Sequence, residues 1–340
     1  MSWKNPNNPS LWKVEIAYKL KNSQTTSGLI LVDATAGEKD TLTIIVSEYG
    51  TYTIIAVSIS ESGKRSAQIT TEGKPRTPTP TLPVKDIPVF LERADVLMEA
   101  ITKLYLDGKS RDIWSSNYPQ SGEYWDGAAV IWGHGAAFSG YVALKEAAEG
   151  ITAYETKYKT AYDNRLLTAI DKFRNTRDGK AEAYAVFPGE GDERYYDDNI
   201  WVGLDMVDLY LLTENSKYLT RAEMVWRFIL EGTDNVMGGG VYWKEGLKSK
   251  HTCSSAPAAV LAAKLYLATN KEVYLQSAKD LYAWCKKLLQ DPSDYLYWDN
   301  VHLSDENDPN SAIQTDKAKY SYNSGQPMQA AALLYNITKD

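Results

Sequence analysis

Leu209-Tyr210-Leu211-Leu212-Thr213, followed by Tyr218-Leu219, returns 56 residues later as Leu265-Tyr266-Leu267-Ala268-Thr269, followed by Tyr274-Leu275. A third, partial copy stands at Leu334-Tyr335-Asn336-Ile337-Thr338, 69 residues beyond the second. Each copy closes one apolar-periodic segment, and in the two full copies a short polar turn then opens another. That is the signature of stacked αα-hairpins. Around the copies, helical periodicity predicts segments at Val89–Leu106 and at about 130–148, 154–175, 199–213, 218–231, 256–269, 272–289 and 326–337. The stretches between hairpins are long and rich in Gly and aromatic residues. A repeat of roughly 50–70 residues suits a toroid of hairpins whose long loops gather on one face, where a cleft forms.

Upstream, the pattern changes. Lys74–Val84 carries Pro75, Pro78, Pro80 and Pro83, which fix φ and remove donors, so residues 75–87 read as a stiff linker. Residues 1–74 alternate as strands do: Val14–Leu20, Thr41–Val46, Thr51–Val57 and Arg65–Thr70, with a turn at Glu61-Ser62-Gly63-Lys64. This predicts a small all-β sandwich. Glu48–Ser66 resembles the last hairpin of a fibronectin type III-like domain, and Trp3 with Asn5-Pro6 resembles the end of such a domain's second strand. On that resemblance the sandwich is partial, with its opening strand or two absent. The recognisable strands show few exposed Trp, which favours a spacer over a sugar-binding module. The organisation read from the sequence is therefore multidomain: a β-sandwich at 1–74, a linker at 75–87, and an all-α domain at 88–340.

Composition narrows the function. In 340 residues, 37 Lys and Arg stand against 44 Asp and Glu, a formal charge of −7, and no basic stripe for nucleic acid occurs. No run of about 18 apolar residues would span a bilayer. Two cysteines, Cys253 and Cys285, and three histidines supply neither a disulfide framework nor a zinc site, so neither metal nor cofactor is expected. By contrast 24 Tyr and 10 Trp outnumber 5 Phe, a bias toward rings with a polar tip that suits gripping sugars.

The strongest local signal is Arg194-Tyr195-Tyr196-Asp197-Asp198-Asn199-Ile200-Trp201, opening a helix. Adjacent carboxylates cannot ionise independently, so their pKa values split, as a general acid beside a nucleophile requires. The same residues also read as ordinary helix caps. Gly238-Gly239-Gly240-Val241-Tyr242-Trp243 reads either as close backbone approach to a ligand or as a hairpin tip; it lacks the Gly-Lys-Ser/Thr ending of a phosphate loop. In Lys248–Pro257, Ser255 as a cap and Pro257 near the first helical position explain much without function. Tyr295-Leu296-Tyr297-Trp298-Asp299-Asn300 and Tyr320-Ser321-Tyr322-Asn323-Ser324-Gly325-Gln326 are loops of rings beside amides and carboxylates. Tyr124-Trp125-Asp126 and Trp132-Gly133-His134-Gly135 precede the second helix, with His134 reading as structural. Cys285 reads as core, Cys253 sits in a loop with no thiol-nucleophile pattern, and no Gly-x-Ser-x-Gly elbow occurs.

Five of these features, in order, resemble glycoside hydrolase family 76, the endo-α-1,6-mannanases: Tyr196-Asp197-Asp198-Asn199 entering a helix, Gly238-Gly239-Gly240-Val241-Tyr242-Trp243, Ser254-Ser255-Ala256-Pro257-Ala258-Ala259, the Leu-Tyr-x-x-Thr helix ends, and Tyr322-Asn323-x-Gly325. The resemblance spans residue 88 to the end. It implies an (α/α)6 barrel and retaining, endo-acting hydrolysis of the α-1,6-linked backbone of mannan. Asp197 would be the nucleophile and Asp198 the acid/base. Tyr196, Asn199, Trp201, Gly239, Tyr242, Trp243, Tyr322 and Asn323 become the candidate substrate contacts. It also implies a polysaccharide substrate, a monomer, and an extracellular or cell-surface setting, the last by resemblance alone, because no signal-peptide pattern follows Met1. Eight predicted helical segments make four hairpins where the implied ring has six, so the expectation is either a barrel lacking about two hairpins at its C-terminal side or a shortened variant of the fold. A non-catalytic glycan-binding protein with the same aromatic cleft is the alternative. Related (α/α)6 epimerases rely on paired histidines, which three scattered His disfavour.

Overall fold

The computed structural model describes residues 2–21, 23–44, 46, 50–74, 87–106, 113–120, 127–158, 163–188 and 192–339. Two units make up the chain: Met1–Pro80 with Tyr335–Asp340, and Thr81–Leu334. Residues 75–86 of the expected linker, Tyr124-Trp125-Asp126, and the first residues of the fibronectin-like hairpin lie outside the described residues.

In the N-terminal unit β1 (Ser2–Lys4) pairs with β4 (Lys39–Thr41), and β2 (Leu11–Leu20), β3 (Ile30–Asp33), β5 (Tyr52–Ser60) and β6 (Ile69–Gly73) form an antiparallel sheet in the order β3-β2-β5-β6. Val14, Ile16 and Ala17 on β2 and Tyr52 and Ile59 on β5 are buried. Two expected strands end differently. Of Thr41–Val46, Thr41 is in a strand, opposite Ser2 of β1, and residues 42–44 are not. The last strand starts at Ile69 instead of Arg65, which makes only an isolated bridge to Ile59.

The helical unit comprises α1 (Ile87–Ile101), extended by a π-helical turn to Leu106, then α2 (Ile131–Ala147), α3 (Thr152–Tyr158), α4 (Asp163–Asp171), α5 (Tyr196–Thr213), α6 (Ser216–Glu231), α7 (Thr252–Thr269), α8 (Glu272–Leu289) and α9 (Ser321–Thr338). The helix expected at 154–175 is thus two pieces. Its C-terminal residues leave the helix because Arg174–Asn175 (β7) pairs with Ala183–Tyr184 (β8). A three-stranded sheet also forms where loops were expected, from β9 (Ser249–His251), β10 (Trp298–Leu303) and β11 (Ile313–Lys319).

Helices alternate in character. α5 and α7 are buried around most of their circumference, whereas α6 and α8 bury one face. α5 packs on α6, α7 and α2, and α7 on α8, which makes α5 and α7 inner helices and α6 and α8 outer ones. Gly203 permits this closeness, since a Cβ there would lie 2.9 Å from Val225 on α6 and 3.0 Å from Leu261 on α7.

The repeated sequence has one geometry. Thr213 Oγ1 donates to Leu209 O at 2.6 Å and Thr269 Oγ1 to Leu265 O at 2.7 Å. The residue after each helix, Glu214, Asn270 and Lys339, turns left-handed at φ 57°, 58° and 63°. The helix starts lie three to five residues earlier than the apolar periodicity indicates. Pro257 is therefore inside α7, where it removes an N–H one turn beyond Cys253.

Within the glycine run, Gly239 and Gly240 pack against Trp284. Gly240 has φ 78°, and a Cβ on it would sit 2.5 Å from the Trp284 ring. Gly240→Ala combines left-handed strain with overpacking and is expected to cost roughly 2–4 kcal/mol in urea unfolding.

Candidate active site

The start of α5 is built by an antiparallel contact. Tyr196 N donates to Trp243 O at 2.9 Å and Glu245 N to Arg194 O at 3.2 Å. Beneath it the Arg194 side chain, 0 % exposed, donates to both oxygens of Glu245 at 2.7 and 2.6 Å and to Ala181 O at 2.9 Å, and lies over the Phe228 ring. Arg177 adds a bond to Glu245 at 2.9 Å. These bonds fix Trp243 beside the first turn of the helix.

Tyr195, in extended conformation, is the residue that caps α5, and it makes no side-chain cap bond. The carboxylates at the next positions but one are therefore not caps. Asp197 Oδ1 accepts the Asp198 N–H at 3.0 Å, while Oδ2 accepts Trp243 Nε1–H at 2.9 Å and the Cys253 thiol at 3.7 Å. Burial pushes Asp197 up to about 6, with the Trp243, Asp198 N–H and Cys253 bonds pulling against it. Burial and then the charge of Asp197 push Asp198 up to about 7. Both remain partly exposed. The pair thus divides into one carboxyl held by donors and one held by none of these, the asymmetry that separates a nucleophile from an acid.

The Trp243 ring lies between Tyr195, edge-on at 5.2 Å, and His251, stacked at 5.1 Å. His251 shares a 2.9 Å bond with Ser249 Oγ and brings Nδ1 to 3.6 Å from Asp299 Oδ2; burial depresses its pKa against the pull of Asp299 and Asp316. Asp299 Oδ1 accepts from the buried Asn323 Nδ2 at 3.1 Å. Burial, then the charges of Asp197 and Asp299, push the Cys253 thiol up, so it is a donor and not a thiolate nucleophile. Tyr322 is exposed, stacks in parallel on Tyr320 at 5.4 Å, and its phenol feels Cys253, Asp299 and Asp197. Trp201 stands one turn beyond the pair on α5, edge-on to Trp132 at 6.3 Å.

Asp197, Asp198, Trp201, Trp243, Tyr322 and Asn323 therefore meet, with Tyr322 and Asn323 in the first turn of α9 and not in a loop. The other candidates point elsewhere. Tyr196 is 4 % exposed and stacks on Phe228 at 4.6 Å. Asn199, fully buried, bonds both the N–H and the carbonyl of Tyr184. Gly239 lies against Trp284 and gives its carbonyl to Lys250 at 2.7 Å. With Trp226 and Trp284 it lines a cavity of about 740 Å³ that contains neither aspartate. Tyr242 alternates away from Trp243, donating to Asp234 at 2.8 Å beneath the Lys250 ammonium.

Ser255 is likewise no cap: its Oγ accepts the Val241 N–H at 2.8 Å. His134 is structural, accepting from Trp114 N at 3.0 Å and packing on Phe173. Cys253, read as a loop residue and now in the first turn of α7, and His251 and Asp299 were not among the candidate site residues. The 56-residue offset offered a signal, since it carries Asp197 onto Cys253. Among the described residues no group of three or more His, Cys, Asp or Glu is placed to hold a metal ion, and no helix is long and apolar enough to cross a membrane.

Residues 91–340 match the family described as Glycosyl hydrolase family 76. A solved glycoside hydrolase family 76 (mannosidase) from Bacteroides thetaiotaomicron VPI-5482 is similar at 43% identity over 74% of this chain and 68% of its own, with a TM-score of 0.68. A second structure is an inactive variant of an α-1,6-mannanase from Salegentibacter sp. HEL1_6, with two consecutive aspartates changed to asparagine, in complex with α-1,6-mannotriose. It is similar at 25% identity over 74% of this chain and 66% of its own, with a TM-score of 0.56. The meiotically up-regulated gene 191 protein of Schizosaccharomyces pombe is 26% identical over 263 residues, which are 73% of this chain; the match spans only 56% of that longer protein.

Proposed function

This chain belongs to glycosyl hydrolase family 76, and from that premise we propose that it cleaves α-1,6-mannosidic bonds within mannan backbones with retention of configuration. The observation that carries the reading is the asymmetric pair at the start of α5. In the related α-1,6-mannanase two consecutive aspartates are the residues replaced in the inactive variant, and Asp197-Asp198 is the consecutive pair that opens α5.

In this mechanism Asp198, protonated, gives its proton to the glycosidic oxygen as the C1–O bond breaks. An Asp197 oxygen forms a new bond to C1 through an oxocarbenium-like transition state. Asp198, now ionised, takes a proton from water, whose oxygen attacks C1 and releases the Asp197 carboxylate. Donors on Asp197 stabilise it as attacking anion and as leaving group, and the first-turn N–H adds the helix's positive end. The rings of Trp201, Trp243 and Tyr322 suit the apolar faces of sugars. Substrate of polymer size sets the reaction outside the cell or at its surface.

Incubation with linear α-1,6-mannan, following product sizes with time and the anomer first released by NMR, tests the proposal. Internal cleavage with the α-anomer appearing first is expected. Inversion removes Asp197 from the nucleophile's role, and binding without release of reducing ends favours the glycan-binding alternative.

The pH profile follows from the same pair. Asp197 must be ionised, so kcat/KM rises as pH climbs through about 6. Asp198 must be protonated, so it falls as pH passes about 7. Trp243→Phe keeps the ring but deletes the N–H to Asp197. The acid limb then moves to higher pH and the maximum drops, a shift visible in kcat/KM between pH 4 and 9.

A further inference from the structure

The starts of α2, α5, α7 and α9 share a register. The fourth residue of each is anchored to the backbone of the segment before it: His134 Nε2 accepts from Trp114 N at 3.0 Å, Asn199 Oδ1 from Tyr184 N at 2.7 Å, Ser255 Oγ from Val241 N at 2.8 Å and Ser324 Oγ from Tyr297 N at 3.2 Å. The residue two places earlier, second in its helix, is Trp132 in α2, Asp197 in α5, Cys253 in α7 and Tyr322 in α9. Asp197 and Cys253 touch, and the Tyr322 phenol lies in the field of both. Equal anchoring makes Trp132 the fourth member of this ring of cleft-facing positions.

Trp132 is also built to receive something. It is 51 % exposed, unusual for an indole. Its described ring contact is edge-on to Trp201 at 6.3 Å and 78°, and about half of the residue's surface stays in solvent. Trp201 is itself one helical turn from Asp197 and Asp198. A half-exposed ring edge-on to a second ring makes a corner into which a pyranose can lay its C–H face.

We propose that Trp132 is a substrate-contacting residue, stacking a mannose unit of the bound chain away from the scissile bond and so setting the preference for longer oligomannosides. The inference rests on the activity proposed above. For Trp132→Ala, KM for α-1,6-mannotetraose is expected to rise about tenfold and KM for mannobiose by less, with kcat within about twofold and thermal unfolding unchanged. Trp132→Phe is expected to recover most of the loss. Equal KM increases for the two lengths, or none, overturn the proposal.

Calorimetric titration of mannotetraose into the Asp197→Asn/Asp198→Asn double variant, with and without Trp132→Ala, separates the two readings. Failure of the double variant itself to bind overturns the mannanase reading and this inference with it. Binding that Trp132→Ala does not weaken overturns this inference alone.

Discussion

Asp198→Asn is expected to yield a folded protein that releases reducing ends from α-1,6-mannan at least about 10³-fold more slowly than the wild type, and that melts at a higher temperature above pH 7. Activity is lost because the amide has no proton to give the leaving oxygen and no lone charge to take one from water. The stability gain follows from the raised pKa. A carboxyl whose folded value lies above its unfolded 3.8 is stabilised by its proton, and that stability is lost as pH rises from about 4 to about 7. At pH 4 variant and wild type should melt nearly together; at pH 8 the wild type alone carries the buried charge, at a cost on the order of 1–3 kcal/mol. Asp197→Asn should be as inactive but gain less, because its amide keeps a single acceptor oxygen and leaves either the Trp243 N–H or the Asp198 N–H without its bond. Melting curves at the two pH values, beside a reducing-end assay, decide the matter. An inactive variant that melts lower at pH 8 points to a damaged fold, and residual activity within tenfold of wild type rejects the assigned role.

In α5, α7 and α9, which carry the repeat, helix ends were legible in the sequence and helix starts were not. Leu-Tyr-x-x-Thr is apolar and periodic, so Thr213 and Thr269 could be placed as terminal residues, where the structure puts them. Thr252-Cys253-Ser254-Ser255 is small and polar and reads as loop, although tertiary packing makes it a buried first turn. Adjacency also misleads at a helix start. Tyr196 neighbours Asp197 in sequence but points about 100° round the axis onto Phe228. Trp243, 46 residues away, supplies the bond to the carboxylate. Glycines at 238–240 read as close backbone approach to a ligand, yet at Gly239 and Gly240 the group that approaches is the indole of Trp284. Side-chain direction and the identity of the neighbour across a strand contact are not written in local composition. The repeat offset does carry some of that information, because hairpins that repeat in sequence repeat their register in space.

Removal of the buried guanidinium below the pair is expected to have the largest effect on stability. Arg194→Met should destabilise the protein by about 3–5 kcal/mol, because Glu245 would keep its charge without the bidentate partner that offsets its desolvation. Burial alone would raise the Glu245 pKa, but the Arg194 bonds and the charges of Arg194, Arg177 and Lys180 hold it below the ordinary range. A depressed carboxyl pKa contributes stability above its unfolded value of 4.5 and loses it as pH falls through the folded value. The gap between wild type and Arg194→Met should therefore narrow progressively as pH falls below 4.5. Loss of the pair also frees the contact that brings Trp243 to Asp197, so kcat should fall in Arg194→Met even where the variant is folded. The double variant Arg194→Met/Glu245→Gln, which removes both charges, should regain much of the stability without regaining the rate. Urea unfolding at pH 7 and pH 4, with kcat measured well below each midpoint, reads both parts. Equal stability of the single and double variants at pH 7 excludes the ion pair as the cause, and a single variant with wild-type kcat excludes its link to the nucleophile.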